Sequence, residues 1–317
     1  MADELRLDGA RCLVLGAGGF MGTNLCRALC DRGAEVQGFG RTITFPEEFD
    51  PRVHWVAGQF GDTTALAKAV QGQDFVFHLI SGSIPGMPAL GIAADFLDTT
   101  QATLALLEIC RSEAVRKVVF ASSGGTVYGV ANSLPIAEDA PTDPISAYGI
   151  GKLAIEKFLA LYRHEHGLDY QILRIANPYG PCQSPFRKQG IVAALLHRAL
   201  TGRPFEIWGE GEVVRDYIAV SDVAEAFVRV LDYDGPHKIM NVGTGEGRSV
   251  RSVADDIRAL LGAASLEETH RPARRADVPA NILDAGLLRA ATGWVPLVEW
   301  RDGLRHTAEW MQRVVLA

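Results

Sequence analysis

The sequence RCLVLGAGGFMGTNLCRALCD, residues Arg11–Asp31, decides the predicted fold of this 317-residue chain. It opens with an apolar run of the length of a buried parallel strand. Gly16, Gly19 and Gly22 follow at three-residue spacing, and apolar residues then recur at the period of a helix. Such a strand–turn–helix can hold a diphosphate on the N–H groups of the helix N-terminus. Because the spacing is G-x-x-G-x-x-G and not the commoner G-x-G-x-x-G, a plain strand–helix turn is the alternative.

Short apolar strands and helices alternate from this turn to about residue 180, with strands predicted at Phe75–Ile80 and Lys117–Ala121. This alternation predicts an α/β fold with a Rossmann-like, doubly wound parallel sheet, which binds ligands beyond the carboxyl ends of its strands. The later pattern is less regular and includes a helix predicted at Asp222–Leu231. We therefore predict a dinucleotide-binding domain over residues 1–180, joined by parts of 213–245, and a smaller C-terminal α/β substrate-binding lobe over 181–317.

Composition excludes several partners. The net charge of −7 argues against binding to nucleic acid or to an anionic membrane surface. The five cysteines are scattered and lack metal-ligand spacing, which predicts reduced thiols and no metal site. The sequence shows neither a basic-then-apolar leader nor an apolar run of about 18 residues, so we predict a cytoplasmic protein.

The end of the second predicted strand bears on the cofactor. A fold that prefers an unphosphorylated ribose usually has Asp or Glu about 20 residues after the glycines. Here the chain has Gly40-Arg41 instead. Arg41 can pair with a ribose 2′-phosphate or lie over an adenine, and the alternative is a solvated surface arginine. NAD and NADP therefore both remain open.

Tyr148 and Lys152 carry the predicted chemistry. Ser146 is expected to cap a helix that runs to about His166, and residues four apart share one face of a helix. A tyrosine pKa of about 10 makes a poor base at neutral pH. The ammonium of Lys152 is expected to lower the pKa of Tyr148 and make it an acid/base for a substrate hydroxyl. The alternative is that both residues form an ordinary helix surface.

Five short motifs follow one another along the chain. They are Gly16–Gly22 (GAGGFMG), Ser122–Gly129 (SSGGTVYG), Tyr148–Lys152 (YGIGK), Asn177–Pro181 (NPYGP) and Arg215–Ile218 (RDYI). With them the chain resembles the extended short-chain dehydrogenase/reductases from residue 10 to its C-terminus. Within these it is most similar to the UDP-glucose 4-epimerase-like members of the nucleotide-sugar epimerase/dehydratase group. The resemblance implies an NAD(P)-dependent nucleotide-sugar 4-epimerase, an isomerase of carbohydrate metabolism and polysaccharide biosynthesis, which oxidises C4 transiently and then returns the hydride.

The resemblance also implies the roles of individual residues. Tyr148 and Lys152 would be the catalytic pair. Asn177 and Arg215 would hold the substrate diphosphate, with Arg274 and Asp277 near the nucleotide. A homodimer would form through helices Ala94–Arg111 and Tyr148–His166. The implied cofactor contacts are Gly16, Gly19, Phe20, Met21, Gly22, Arg41, Gln59, Phe60, Leu79, Ser81, Ser122, Tyr148, Lys152 and Pro178.

The chain departs from the family pattern at two further positions. The family's catalytic Ser or Thr would fall at position 124, which is glycine here, so Thr126 or Ser123 must supply that hydroxyl. We favour Thr126 as the catalytic hydroxyl and assign both side chains to the substrate. Gln59 stands where the family often has an acidic residue, and Phe60 lies where an apolar residue packs by the adenine.

Three other functions remain open from the sequence. Arg41 and the missing acidic residue favour an NADPH-dependent 4-keto nucleotide-sugar reductase. A dehydratase commonly has an Asp-Glu pair where this chain has Gly125-Thr126, so dehydration is less well supported. A catalytically silent dinucleotide-binding scaffold would share the fold, although the Tyr148/Lys152 pair argues against it. The sugar, the base and the pathway are not identified.

Overall fold

The computed structural model describes residues 5–81, 92–187, 190–262, 267–272 and 278–316, with side chains from residue 96 in the second range. The strands are β1 (Arg11–Leu15), β2 (Glu35–Gly40), β3 (His54–Ala57), β4 (Phe75–His78), β5 (Lys117–Ser123), β6 (Tyr170–Ile175), β7 (Asn177–Tyr179), β8 (Phe205–Trp208), β9 (Val214–Ala219), β10 (Ile239–Val242), β11 (Gly247–Ser249), β12 (Glu268–Arg271) and β13 (Ala280–Asn281). The helices are α1 (Phe20–Asp31), α2 (Thr63–Val70), α3 (Ile92–Ser112), α4 (Gly124–Val127), α5 (Ala147–His166), α6 (Ile191–Leu200), α7 (Val220–Arg229), α8 (Val250–Leu261), α9 (Gly286–Thr292) and α10 (Trp300–Val314).

A seven-stranded sheet of order β10-β6-β5-β4-β1-β2-β3 forms the centre of the molecule, and its neighbouring strands pair in parallel. Successive residues of β1 point to opposite faces, so Val14 packs with α1 and α7 while Leu13 packs with α2, α3 and α5. Burial of both faces is why its strands are continuous apolar runs. The predicted Rossmann-like α/β fold is confirmed.

A smaller layer lies on this sheet. Strands β7, β9, β11 and β13 form one sheet, and β8 pairs with β12. Helices α6, α8 and α10 pack around a third apolar core that includes Phe205 and Trp310. The chain returns to the large sheet with β10, and α7 contacts α1. The domain division at residue 180 stays a prediction.

Several predicted bounds were wrong. The strand predicted at Phe75–Ile80 ends at His78, and the helix predicted at Asp222–Leu231 lies two residues earlier, at Val220–Arg229. The serine-rich turn is the end of β5 followed directly by the short helix α4. All five cysteines are buried and unpaired, as expected of reduced thiols. Within the described ranges, no helix combines the length and apolar character needed to span a membrane.

Candidate active site

The glycine turn between β1 and α1 forms a cradle of backbone atoms. Gly16 has a φ of 87°, which favours glycine, and its N–H donates to the carbonyl of Phe39 at 2.8 Å. A Cβ on Gly22 would lie 2.2 Å from the carbonyl oxygen of Gly16. Helix α1 begins after Gly19 without a side-chain cap and has no acidic residue in its first turn, which contains Phe20 and Met21. Its free N–H groups therefore suit an anion, and the cradle fits the diphosphate of a dinucleotide.

The side chains predicted around the adenosine half lie beyond β2 and β3. Arg41 follows β2 and is exposed, and it makes no ion pair within the described part of the chain. Gln59 is also exposed, whereas Phe60 is partly buried with its ring centroid 5.0 Å from that of His78. The Phe60 ring thus packs against the apolar core near the carboxyl end of β4.

Helix α5 is defined by the caps that the sequence predicted. The hydroxyl of Ser146 accepts a hydrogen bond from the N–H of Gly149 at 3.1 Å, and Gly167 ends the helix at a φ of 73°. Lys152 is buried, and its Nζ donates to the carbonyl of Ala121 at 2.8 Å. The same Nζ lies 5.7 Å from the centre of the Tyr148 ring. Both residues thus face the carboxyl end of β5.

Burial shifts the two pKa values in opposite directions. It raises the pKa of Tyr148 to about 12, partly offset by a hydrogen bond with Ser123. It lowers the pKa of Lys152 to about 7, opposed by the charge of Glu156. The expectation that the pKa of Tyr148 lies below its usual value was therefore wrong. Its reasoning omitted desolvation, which disfavours the charged form of each group.

Three neighbouring positions bear on the catalytic hydroxyl. The Ser123 side chain lowers the pKa of Tyr148, whereas the buried Oγ1 of Thr126 has no partner among the described residues. A Cβ at Gly124 would lie 2.4 Å from Leu283 Cδ1 and 3.1 Å from the carbonyl oxygen of Arg174. The Leu283 side chain therefore occupies the space beside Gly124 that a serine or threonine side chain would need.

The residues predicted for the substrate diphosphate lie on two paired strands. Asn177 is on β7, and its Nδ2 donates to the carbonyl of Asp216 at 3.3 Å. Arg215 is on β9, partly buried, and its Nη1 donates to the carbonyls of Val214 and Val278. Arg274 and Asp277, the residues predicted near the nucleotide, lie outside the described residues.

The remaining predicted cofactor residues follow β4 or lie on β7. Leu79 donates its N–H to the carbonyl of Leu15, and Ser81 is exposed. Pro178 lies on β7 and accepts a hydrogen bond from Gln183 at its carbonyl. Their contact with a cofactor stays a prediction.

The sequence interpretation missed a buried group behind the catalytic pair. Ser122, expected at the cofactor, donates its hydroxyl to Glu156, which also pairs with Arg174. A sequence signal existed, because Tyr148, Lys152 and Glu156 are spaced by four on one helix and therefore share a face.

Comparison with known proteins identifies the family of the chain. Residues 12–243 match the NAD dependent epimerase/dehydratase family. The chain is 34% identical to a UDP-glucose 4-epimerase of Mycolicibacterium smegmatis over 95% of this chain and 98% of that protein. A Thermotoga maritima UDP-glucose 4-epimerase solved with UDP-glucose is 31% identical with a TM-score of 0.89, covering 96% and 99% of the two chains. A Thermus thermophilus UDP-glucose 4-epimerase complex with NAD is 33% identical with a TM-score of 0.86, covering 95% and 99%.

Proposed function

Because the chain belongs to the NAD dependent epimerase/dehydratase family, we propose that it is a UDP-hexose 4-epimerase with Tyr148, Lys152 and Ser123 as its catalytic residues. The observation that carries this proposal is the placement of Tyr148 and Lys152 on one face of α5, with the Lys152 Nζ 5.7 Å from the centre of the Tyr148 ring and 2.8 Å from the carbonyl oxygen of Ala121. A nicotinamide dinucleotide, when bound, supplies reversible acceptance of the C4 hydride.

Tyr148 moves the proton in this mechanism. Its phenolate oxygen takes the proton of the C4 hydroxyl as the carbonyl forms and gives it back after the sugar has presented its other face. Desolvation makes the ionised phenol costly, and the Ser123 side chain reduces that cost. A protonated Lys152 would favour the phenolate further, so the two groups titrate as a coupled pair.

Ser123 takes the place of the hydroxyl that the family pattern puts at position 124. A serine at that position would have to displace Leu283 and crowd the carbonyl of Arg174. The Ser123 side chain acts on the phenol, whose pKa it lowers, and its hydroxyl can also polarise the substrate oxygen. Thr126, favoured from the sequence, is the competing candidate.

Substrate binding is proposed for Asn177 and Arg215, with Arg274 and Asp277 near the nucleotide and Thr126 beside the sugar. An always-charged guanidinium suits a diphosphate, because it donates several hydrogen bonds in one plane. The C-terminal lobe, residues 181–317, would then bind the nucleotide, and residues 1–180 with parts of 213–245 the cofactor.

The cofactor proposed for the epimerase is NAD, which stays bound because each turnover regenerates it. NADP is the competing choice, because β2 ends in Gly40-Arg41 and lacks the carboxylate that favours an unphosphorylated ribose. Cofactor released from the denatured protein identifies which of the two is present.

A homodimer is proposed through α3 and α5. These helices contact each other and expose Leu97, Ile150 and Leu161 at 62%, 51% and 43%. Apolar side chains exposed on adjacent helices suit a bundle with a second copy. Light scattering of the wild type and of Ile150→Glu tests this arrangement, and a monomeric wild type would refute it.

The decisive experiment incubates the protein separately with UDP-glucose and with its N-acetylated analogue, and then resolves the C4 epimers by chromatography. We expect interconversion without added reductant by the wild type, and none above background by Tyr148→Phe. If no UDP-hexose is interconverted, the proposal is refuted.

The exposed Arg41 favours a second function, an NADPH-dependent 4-keto nucleotide-sugar reductase. A reductase consumes its cofactor, so it should purify without bound NAD and should oxidise NADPH only when a 4-keto sugar is added. Tightly held NAD together with epimer exchange would exclude it.

A further inference from the structure

Helix α5 presents a third buried polar side chain on the face that carries Tyr148 and Lys152. Glu156 is 2% exposed and lies one helical turn after Lys152. Arg174 holds its carboxylate with two donors, Nε to Oε1 at 3.1 Å and Nη2 to Oε2 at 2.7 Å. The hydroxyl of Ser122 donates to the same Oε1.

This ion pair is costly, because both partners are almost completely removed from water. Taking a carboxylate and a guanidinium out of water carries a large desolvation penalty, and a well-packed apolar pair is often as stable. The pair is nevertheless complete in its hydrogen bonds and rigidly placed, since Arg174 is in a central strand and also lies over the Tyr128 ring. Burial of this kind fixes a negative charge in one position.

That position lies one helical turn from Lys152, on the same buried face of α5. The groups around the amine are Tyr148 and Glu156 on α5, His78 on β4, the Phe120 ring and the Ala121 carbonyl on β5. Burial and the nearby charge of Lys152 lower the pKa of His78 to about 3, so this histidine is neutral. Among the described groups that act on Lys152, Glu156 therefore supplies the negative charge.

We propose that Glu156, fixed by Arg174 and Ser122, is a positioning residue whose charge favours the protonated form of the buried amine of Lys152. The inference rests on the proposed function, in which a charged Lys152 favours the phenolate of Tyr148. Glu156 itself acts on the reaction only through Lys152.

An NMR titration of the full-length protein with ¹³Cε-labelled lysine tests the proposal without substrate. Lys152→Met identifies the Lys152 signal. We expect Glu156→Gln to lower the pKa of Lys152 by about one pH unit or more, because the attraction is lost and Arg174 remains as an unpaired cation. Glu225→Gln is the matched control, since Glu225 is also held by two arginines, Arg32 and Arg229, but far along the chain from this site.

The double variant Glu156→Gln/Arg174→Met removes both buried charges and is expected to fold even if the single variant does not. It should also lower the pKa of Lys152, by less than the single variant. In the epimerase assay, the alkaline limb of the rate profile should move to lower pH in parallel. A Lys152 pKa equal to that of the wild type in the variants that fold would overturn the proposal. Absence of epimerase activity in the wild type would instead refute the proposed function and leave the titration result intact.

Discussion

Two sites at the carboxyl ends of the parallel strands are built in opposite ways. The glycine turn after β1 is made of backbone, and its shape depends on side chains that are absent: a Cβ on Gly22 would strike the carbonyl of Gly16. The site between β5 and α5 is made of titratable side chains held in a desolvated position, where burial raises the pKa of Tyr148 and lowers that of Lys152.

This difference shows which of the two sites must bury ionisable groups at a cost in free energy. A helix N-terminus offers its N–H groups to an anion without burying a charge. The β5–α5 site instead holds groups whose ionised forms are disfavoured, so the fold must supply hydrogen bonds and charges to make them usable. Changes in the first site should therefore act through shape, and changes in the second through protonation.

The largest effect on the side-chain site, after loss of Tyr148 itself, is expected for Ser123→Ala. Removing the hydroxyl proposed to stabilise the phenolate should lower kcat by about 100-fold, as loss of one stabilising donor does in other enzymes. Thr126→Val is the matched variant: because Thr126 is proposed only to bind the sugar, it should raise KM and change kcat by less than about threefold. Steady-state epimerisation rates decide between them, and the reverse ranking would restore Thr126 as the catalytic hydroxyl.

Gly22→Ala tests the glycine turn after β1 most directly. The new Cβ would lie 2.6 Å from Ala17 Cα as well as 2.2 Å from the Gly16 carbonyl, and neither backbone atom can rotate away. We expect a loss of about 2–3 kcal/mol in the free energy of unfolding, together with weaker dinucleotide binding. Gly61→Ala is the control, because a Cβ there meets nothing within 4 Å. Equal denaturation midpoints and dinucleotide affinities for the two variants would contradict the shape argument.

The two sites also differ in how far the sequence could predict them. Spacing alone placed the glycine turn, since the order of strand, glycines and helix is a local pattern. Spacing likewise placed Tyr148 and Lys152 on one face of a capped helix. It could not give the sign of the tyrosine pKa shift, which depends on burial by residues distant in the chain. Nor could it show that Leu283 fills the space beside Gly124, a contact across 159 positions of sequence.

A smaller effect on stability is expected for Lys152→Met. The pKa of Lys152 is depressed from 10.5 to about 7, so folding with a charged amine is penalised below about pH 7, and the penalty disappears as the pH rises to 10.5. Replacing the amine should therefore stabilise the protein by about 1–2 kcal/mol near pH 6, after allowance for the lost bond to Ala121. The gain should vanish by about pH 10.

Urea denaturation of Lys152→Met across this pH range checks the sign. Lys157→Met, at an exposed position of the same helix, should give no comparable pH-dependent gain. A variant that is destabilised at acid pH and unchanged at alkaline pH would show that the amine stabilises the fold, contrary to the proposed cost.

The smallest effect is expected on the preference between NAD and NADP, at Gly40-Arg41 where β2 ends. The carboxylate usually found at the end of β2 is replaced by Gly40, and a Cβ there would lie 3.0 Å from the Trp55 ring, so Trp55 packing itself disfavours an acidic side chain. Arg41→Ala should weaken NADP binding about tenfold relative to NAD, or about 1.4 kcal/mol, if the exposed guanidinium pairs with a 2′-phosphate. Fluorescence titration of both reduced cofactors measures the ratio, with the exposed Arg301→Ala as the control. An unchanged ratio would identify Arg41 as a surface residue, leaving Trp55 against Gly40 as the reason why the carboxylate is missing.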